Sequence, residues 1–232
     1  MSVFIALILG FIPSIAWLAF FLKEDIHPEP RKMIARAFLF GGMSALISLG
    51  LEMAFNGLLS NVVITLPHLI EENISVFIGF ALIEEAVKFV LVYLAVRKSP
   101  YFDEPIDAMI YMVTGALGFA MAENFFIAYS GREQDILSLI VLRFIGATLL
   151  HALASGIIGH YWARGIKFKM EGKMIVAGVV LATAFHAAFN YLVFKFNDYL
   201  VYPTLFLIFV GFFVLYDFEE LKKMEGPASV ND

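Results

Sequence analysis

The chain has 232 residues, of which 61% are hydrophobic and 16% charged, with a net charge of -5 and no cysteine. A water-facing domain is roughly 45–50% apolar and about 25% charged, so this apolar surplus calls for a bilayer as its solvent. The missing cysteine excludes a disulfide framework, a thiolate metal site and a cysteine nucleophile, and no clustered basic patch suggests a nucleic-acid partner.

A membrane helix needs about 20 mainly apolar residues, and seven stretches of the sequence qualify. They run over about 2–22, 33–55, 74–97, 107–129, 136–164, 174–196 and 199–217. The first lacks a basic leader and is followed at once by Lys23, Glu24 and Asp25, so it reads as a retained helix rather than a cleaved signal peptide. Pro13 within it is tolerable as a kink. Residues 56–73 contain Pro67 and the pair Glu71 and Glu72, which predict an interfacial loop or a short re-entrant piece. Gly115, Ala116, Gly118 and Ala120, and further on Ser155 and Gly159, recur at helical spacing; such small residues let helix backbones approach closely.

Basic residues set orientation, because loops rich in Lys and Arg stay in the cytoplasm. Lys23, Arg31, Lys32, Arg36, Arg97, Lys98, Arg164, Lys167, Lys169, Lys173, Lys222 and Lys223 all follow odd-numbered spans, whereas the alternate loops carry only Arg132 and Lys195. The expectation is an all-α, polytopic transmembrane bundle of about seven helices, N-terminus outside and C-terminus cytoplasmic. Residues 1–225 form a single transmembrane domain in this reading, with a catalytic bundle over about 74–196 and a disordered tail over 226–232.

Ionisable side chains at bilayer depth are costly, face the bundle interior and mark function. Glu84 and Glu85 lie about ten residues into the third span, which at 1.5 Å per residue is about 15 Å deep. Lys88 follows Glu84 by one turn. His151 falls in the middle of the fifth span, and His186 about 15 Å into the sixth, with Asn190 one turn on. Glu123 and Arg143 sit nearer the outer surface at matching depths, which suits either an ion pair or a place in the site.

A buried glutamate is a fitting base for activating water, and two histidines with one carboxylate are a common zinc set with an open position. Neighbouring helical residues point about 100° apart, so only one of Glu84 and Glu85 can aim squarely at such a site. There is no H-E-x-x-H and no intramembrane Asp pair. A Ser155–His186 dyad would leave both glutamates unexplained.

These residues resemble a known family. Glu84-Glu85-Ala86-Val87-Lys88 resembles the E-E-x-x-K motif of the PrsW intramembrane proteases, Phe102 to Asp107 their F-D-E-P-x-D loop, and Gly118 to Asn124 their G-F-A-x-x-E-N segment. His151, and His186-Ala187-Ala188-Phe189-Asn190, resemble the two histidine motifs, and Pro28-Glu29-Pro30-Arg31 the link after the first helix. The likeness runs from about 2 to 196 and extends more distantly to the CAAX prenyl proteases and Abi membrane proteases. It departs from that wider group at Ala147, where a phenylalanine is usual.

The resemblance implies an intramembrane endopeptidase of the cell membrane that hydrolyses peptide bonds of membrane-anchored proteins, such as anti-sigma factors. It implies Glu84 as the water-activating carboxylate with Glu85 beside it, and His151 at the water. His186 and Asn190 would polarise the scissile carbonyl or ligate metal. A Zn2+ ion would be held by His151 and His186 with Glu123 or Glu84; a metal-free glutamate site is the other possibility within that group. Two other readings of the same residues are a proton-coupled transporter, for which midplane Glu, His and Lys serve equally well, and a non-catalytic scaffold.

Overall fold

The computed structural model describes residues 3–65, 74–130, 142–196 and 199–224. Every regular element among them is helical. In chain order these are α1 (Val3–Phe21), α2 (Arg31–Thr65), α3 (Ile74–Val96), α4 (Pro105–Ser130), α5 (Ala147–Lys167), α6 (Glu171–Lys195) and α7 (Val201–Met224). Five helical stretches are long and apolar enough to cross a membrane: Arg31–Leu58, Pro105–Ser130, Leu142–Lys167, Glu171–Lys195 and Val201–Met224. The third helix is broken in its apolarity by Glu84, Glu85 and Lys88, and α1 contributes the shorter apolar stretch Leu7–Phe21.

Burial is inverted relative to a soluble protein. Large apolar side chains such as Leu39, Leu46, Phe209, Phe212 and Tyr216 point outward, while Glu85, Lys88, Asn124, His151, Ser155 and His186 are buried. Water would penalise that arrangement; lipid favours it. This multi-pass helical bundle is the architecture that the apolar periodicity predicts.

At the centre stands α4, buried without interruption from Ile106 to Ala120, as expected of a helix apolar all round. It packs against α1, α2 and α5, while α3 rests on α2 and α6. The predicted small-residue seam explains the tight crossings. A Cβ added at Gly118 would collide with the backbone of Phe38 on α2, and one at Gly159 would lie 2.6 Å from Met109 Cα on α4. Ser155 is the exception within that seam, because its hydroxyl is used at the site described below.

Three boundaries differ from expectation. Residues 56–65 are helical, so α2 spans 35 residues instead of ending near 55. No proline falls within 56–65, so nothing in that stretch forbids the helix from continuing. At 1.5 Å per residue α2 is about 52 Å long, more than the roughly 30 Å of a hydrocarbon core. The remaining part of the expected loop, with Pro67, Glu71 and Glu72, lies outside the described residues, as do Arg132, 136–141 and the expected tail 226–232. The expected fifth span is not one straight helix: a helical turn over 142–145 bends at Gly146 before α5 begins. Finally, α7 continues past 217 to Met224, where Lys222 and Glu219 form an i,i+3 pair at 2.8 Å.

Candidate active site

The third helix turns its three charged residues inward. Glu85 and Lys88, one turn apart, are wholly buried, and Lys88 Nζ donates to Glu85 Oε1 at 2.6 Å. An ion pair this deep persists only when further bonds satisfy both partners, and here they do. Ser155 Oγ on α5 donates to Glu85 Oε2 at 3.2 Å, and His186 Nδ1 on α6 lies 2.7 Å from Glu85 Oε1. Lys88 Nζ also lies 3.0 Å from His151 Nδ1 and 4.6 Å from the centre of the Phe119 ring, a cation–π distance.

These contacts fix the tautomers. An ammonium only donates, so Nδ1 of His151 accepts from Lys88 and Nε2 carries the hydrogen. That hydrogen is given to Glu123 Oε2 at 2.8 Å. Glu123 is held in turn by Arg143 at 3.0 Å, whose Nε donates to Asn124 Oδ1 at 2.6 Å; Asn124 Nδ2 donates to Thr148 Oγ1 at 3.1 Å. In His186, Nδ1 is the donor to the Glu85 carboxylate, which leaves Nε2 with a free lone pair. The two imidazole rings stand 5.1 Å apart at 80°.

Into the gap between them points Glu84. Its Oε2 is 3.8 Å from His151 Nδ1 and 3.7 Å from His186 Nε2, too far for a hydrogen bond, and has no partner although buried. An orphan oxygen of this kind asks for a small ligand. One donor atom each from Glu84, His151 and His186 lie within 4.8 Å of one another. The set of one carboxylate and two imidazoles suits a divalent metal ion, so these residues fit one. The Lys88 ammonium on His151 Nδ1 competes for the same lone pair.

Of the residues singled out in the sequence, Glu84, Glu85, His151 and His186 meet in one layer. Glu84 faces the gap and Glu85 braces His186 from behind, as the 100° offset requires. Glu123 and Arg143 do pair, yet Glu123 also reaches the far nitrogen of His151 rather than the Glu84 side. Asn190 is half-buried and lines a neighbouring cavity of about 570 Å³ together with Phe77, Arg143, Phe189, Val193 and Leu207. The hydroxyl of Ser155 serves Glu85, not His186.

One carboxylate escaped the sequence reading. Glu52 on α2 is half-buried. Its signal was available, since it is the one acidic residue in the second apolar span.

Comparison with known proteins points to one family. The family described as PrsW family intramembrane metalloprotease matches residues 29–216. Protease PrsW of Geobacillus kaustophilus is 27% identical over 227 residues, covering 95% of this chain and 94% of that protein. Protease PrsW of Bacillus subtilis is 26% identical over 234 residues, covering 96% and 95%. The Clostridioides difficile protein of the same name is 27% identical over 195 residues, covering 80% and 77%. No solved structure matches.

Proposed function

The chain belongs to the PrsW family of intramembrane metalloproteases, and from that premise we propose that it cleaves membrane-anchored proteins at the gap between Glu84, His151 and His186. The observation that carries the proposal is Glu84 Oε2, buried, unbonded and equidistant from two imidazole nitrogens. A water in that gap has a carboxylate to take its proton and the lone pair of His186 Nε2 to orient it.

The residues divide the work as follows. Glu84 accepts the proton of the water as its oxygen adds to the scissile carbonyl, and returns it to the departing amine. His186, held by Glu85, keeps its Nε2 lone pair directed at the reacting water. His151 is kept in one tautomer by Lys88 and Glu123. Asn190 and Arg143, both on the wall of the 570 Å³ cavity, supply donors for the developing oxyanion. That cavity lies between α3, the 142–147 segment leading into α5, α6 and α7, and we assign it to the substrate segment, which slides in laterally from lipid.

Glu84, His151 and His186 are the residues that would hold a zinc ion, with Glu123 bracing His151 from behind rather than ligating; Glu84 would then act as a ligand in place of its role as free base. When bound, zinc would lower the pKa of water and polarise the carbonyl. The enzyme sits in the cell membrane with its N-terminus outside, its site in the outer half of the bilayer, and single-pass proteins such as anti-sigma factors as substrates.

The test is cleavage of a membrane-anchored reporter in liposomes by the wild type and by Glu84→Gln, with elemental analysis alongside. Glu84→Gln is expected to lower the rate about 10²–10⁴-fold, the usual range for a general base, in a protein that still folds. Cleavage by Glu84→Gln at the wild-type rate overturns the assignment. Zinc content unchanged in both His151→Ala and His186→Ala overturns the metal ligands.

A further inference from the structure

A second cluster of metal-ligating side chains lies apart from the active site. His160 on α5 is nine residues beyond His151, about 13 Å along the helix. It faces Asp217 and Glu220, which share one face of α7 at i,i+3 spacing. Its Nδ1 stands 3.7 Å from Asp217 Oδ1 and its Nε2 3.9 Å from Glu220 Oε2.

These separations decide what the cluster is built for. A protonated imidazole bridging two carboxylates would close to hydrogen-bond distance, at most about 3.2 Å. Instead His160 is 4% exposed and its Nδ1 has no hydrogen-bond partner. Among the described residues, one donor atom from each of His160, Asp217 and Glu220 lie within 4.8 Å of one another. A buried imidazole whose Nδ1 has no partner, with a carboxylate held off each of its nitrogens at 3.7 and 3.9 Å and one donor atom of each residue within 4.8 Å of the others, leaves a gap the size of an ion.

We propose that His160, Asp217 and Glu220 bind a divalent transition-metal ion that fastens α7 to α5 at the end of the bundle opposite the chemistry. One imidazole and two carboxylates are hard-to-borderline donors, which suits Zn2+ or Mn2+. The side chains of Asp217 and Glu220 remain 22% and 29% exposed, so the ion has a path from water. Arg164 is the built-in competitor: its NH1 lies 3.5 Å from Glu220 Oε1 while its Nε is unpartnered. The guanidinium occupies the outer oxygen of Glu220 and leaves Oε2 to face His160.

The experiment uses the full chain in detergent micelles, equilibrated with zinc chloride, freed of excess metal and assayed for zinc per chain. The isosteric double variant Asp217→Asn/Glu220→Gln is expected to hold one zinc fewer than the wild type. It should also lose the rise in unfolding temperature that zinc gives the wild type, while still cleaving the membrane-anchored reporter. Should His160→Gln and the double variant both keep the wild-type zinc content, the site does not exist. A Glu84→Gln/His186→Ala variant separates the two sites, since it should lose cleavage and still keep the metal at His160. A failure of the protease reading would therefore leave the zinc count at His160 untouched.

Discussion

The buried pair Glu85–Lys88 makes a quantitative test of how this bundle is held together. Both side chains are wholly buried and 2.6 Å apart, and between them they engage Ser155, His151 and His186. Replacing Glu85 by Gln takes from the wholly buried ammonium the one carboxylate bonded to it. Breaking a buried ion pair from one side costs about 3–5 kcal/mol. For a chain of this size each kcal/mol moves the unfolding midpoint by roughly 2–4 °C, so Glu85→Gln should unfold about 6–20 °C below the wild type. Adding Lys88→Met removes the stranded charge and puts a chain of similar length beside Phe119. The double variant should therefore recover most of the loss, because replacing both members of such a pair by groups of similar shape is close to neutral. The measurement is thermal unfolding of purified protein in detergent, analysed as a double-mutant cycle. If the two changes simply add, to within about 0.5 kcal/mol, the pair is not coupled and the account of its role is wrong.

Two further outcomes follow from packing and from charge outside the membrane. Gly159→Ala puts a methyl 2.6 Å from Met109 Cα and 2.8 Å from Ala108 O and should destabilise by about 1–3 kcal/mol, whereas Gly50→Ala on α2 meets nothing within 4 Å and should be neutral or gain up to about 1 kcal/mol; equal midpoints in thermal unfolding would contradict the α4–α5 contact. Burial holds the Glu29 carboxyl above its usual range in the link before α2, with Tyr111 as its hydrogen-bond partner. A carboxyl raised in the folded state stabilises fully below its ordinary range and loses that contribution as pH rises through the raised midpoint. Unfolding midpoints followed from the ordinary carboxylate range upward should thus fall less steeply in Glu29→Gln than in the wild type, and parallel curves would refute the assignment.

Composition and apolar spacing were enough to give the helical class and to place most helices within a few residues. The reason is physical: a helix in lipid must satisfy its own backbone and advertise itself by an unbroken apolar run. What spacing alone conveyed less well was depth and direction. Glu123 read as a residue near the outer surface, because distance along α4 says nothing of the reach of its side chain; in the fold it touches His151 across the α4–α5 contact. Glu52 went unnoticed because a lone carboxylate near a helix end looks interfacial until α3 is packed beside it. The extension of α2 to Thr65 was hidden because Pro67, Glu71 and Glu72 made the whole of 56–73 read as a loop.

In the proposed site, two adjacent glutamates do what one could not. A single carboxylate cannot both neutralise Lys88 and stay free for water, since each oxygen that accepts from the ammonium or from His186 loses its readiness to take a proton. The 100° step between Glu84 and Glu85 divides these duties between two faces of α3. Glu85 spends its oxygens on Lys88, Ser155 and His186. Glu84 Oε2, buried without a hydrogen-bond partner, keeps its lone pairs. Lys88 then acts on both: it screens the negative charge of the pair and, through Nδ1 of His151, chooses the tautomer that Glu123 and Arg143 hold from the other side. The position of Lys88 sets this order: its ammonium meets Glu85, three residues before it, and Glu84 is left facing the gap.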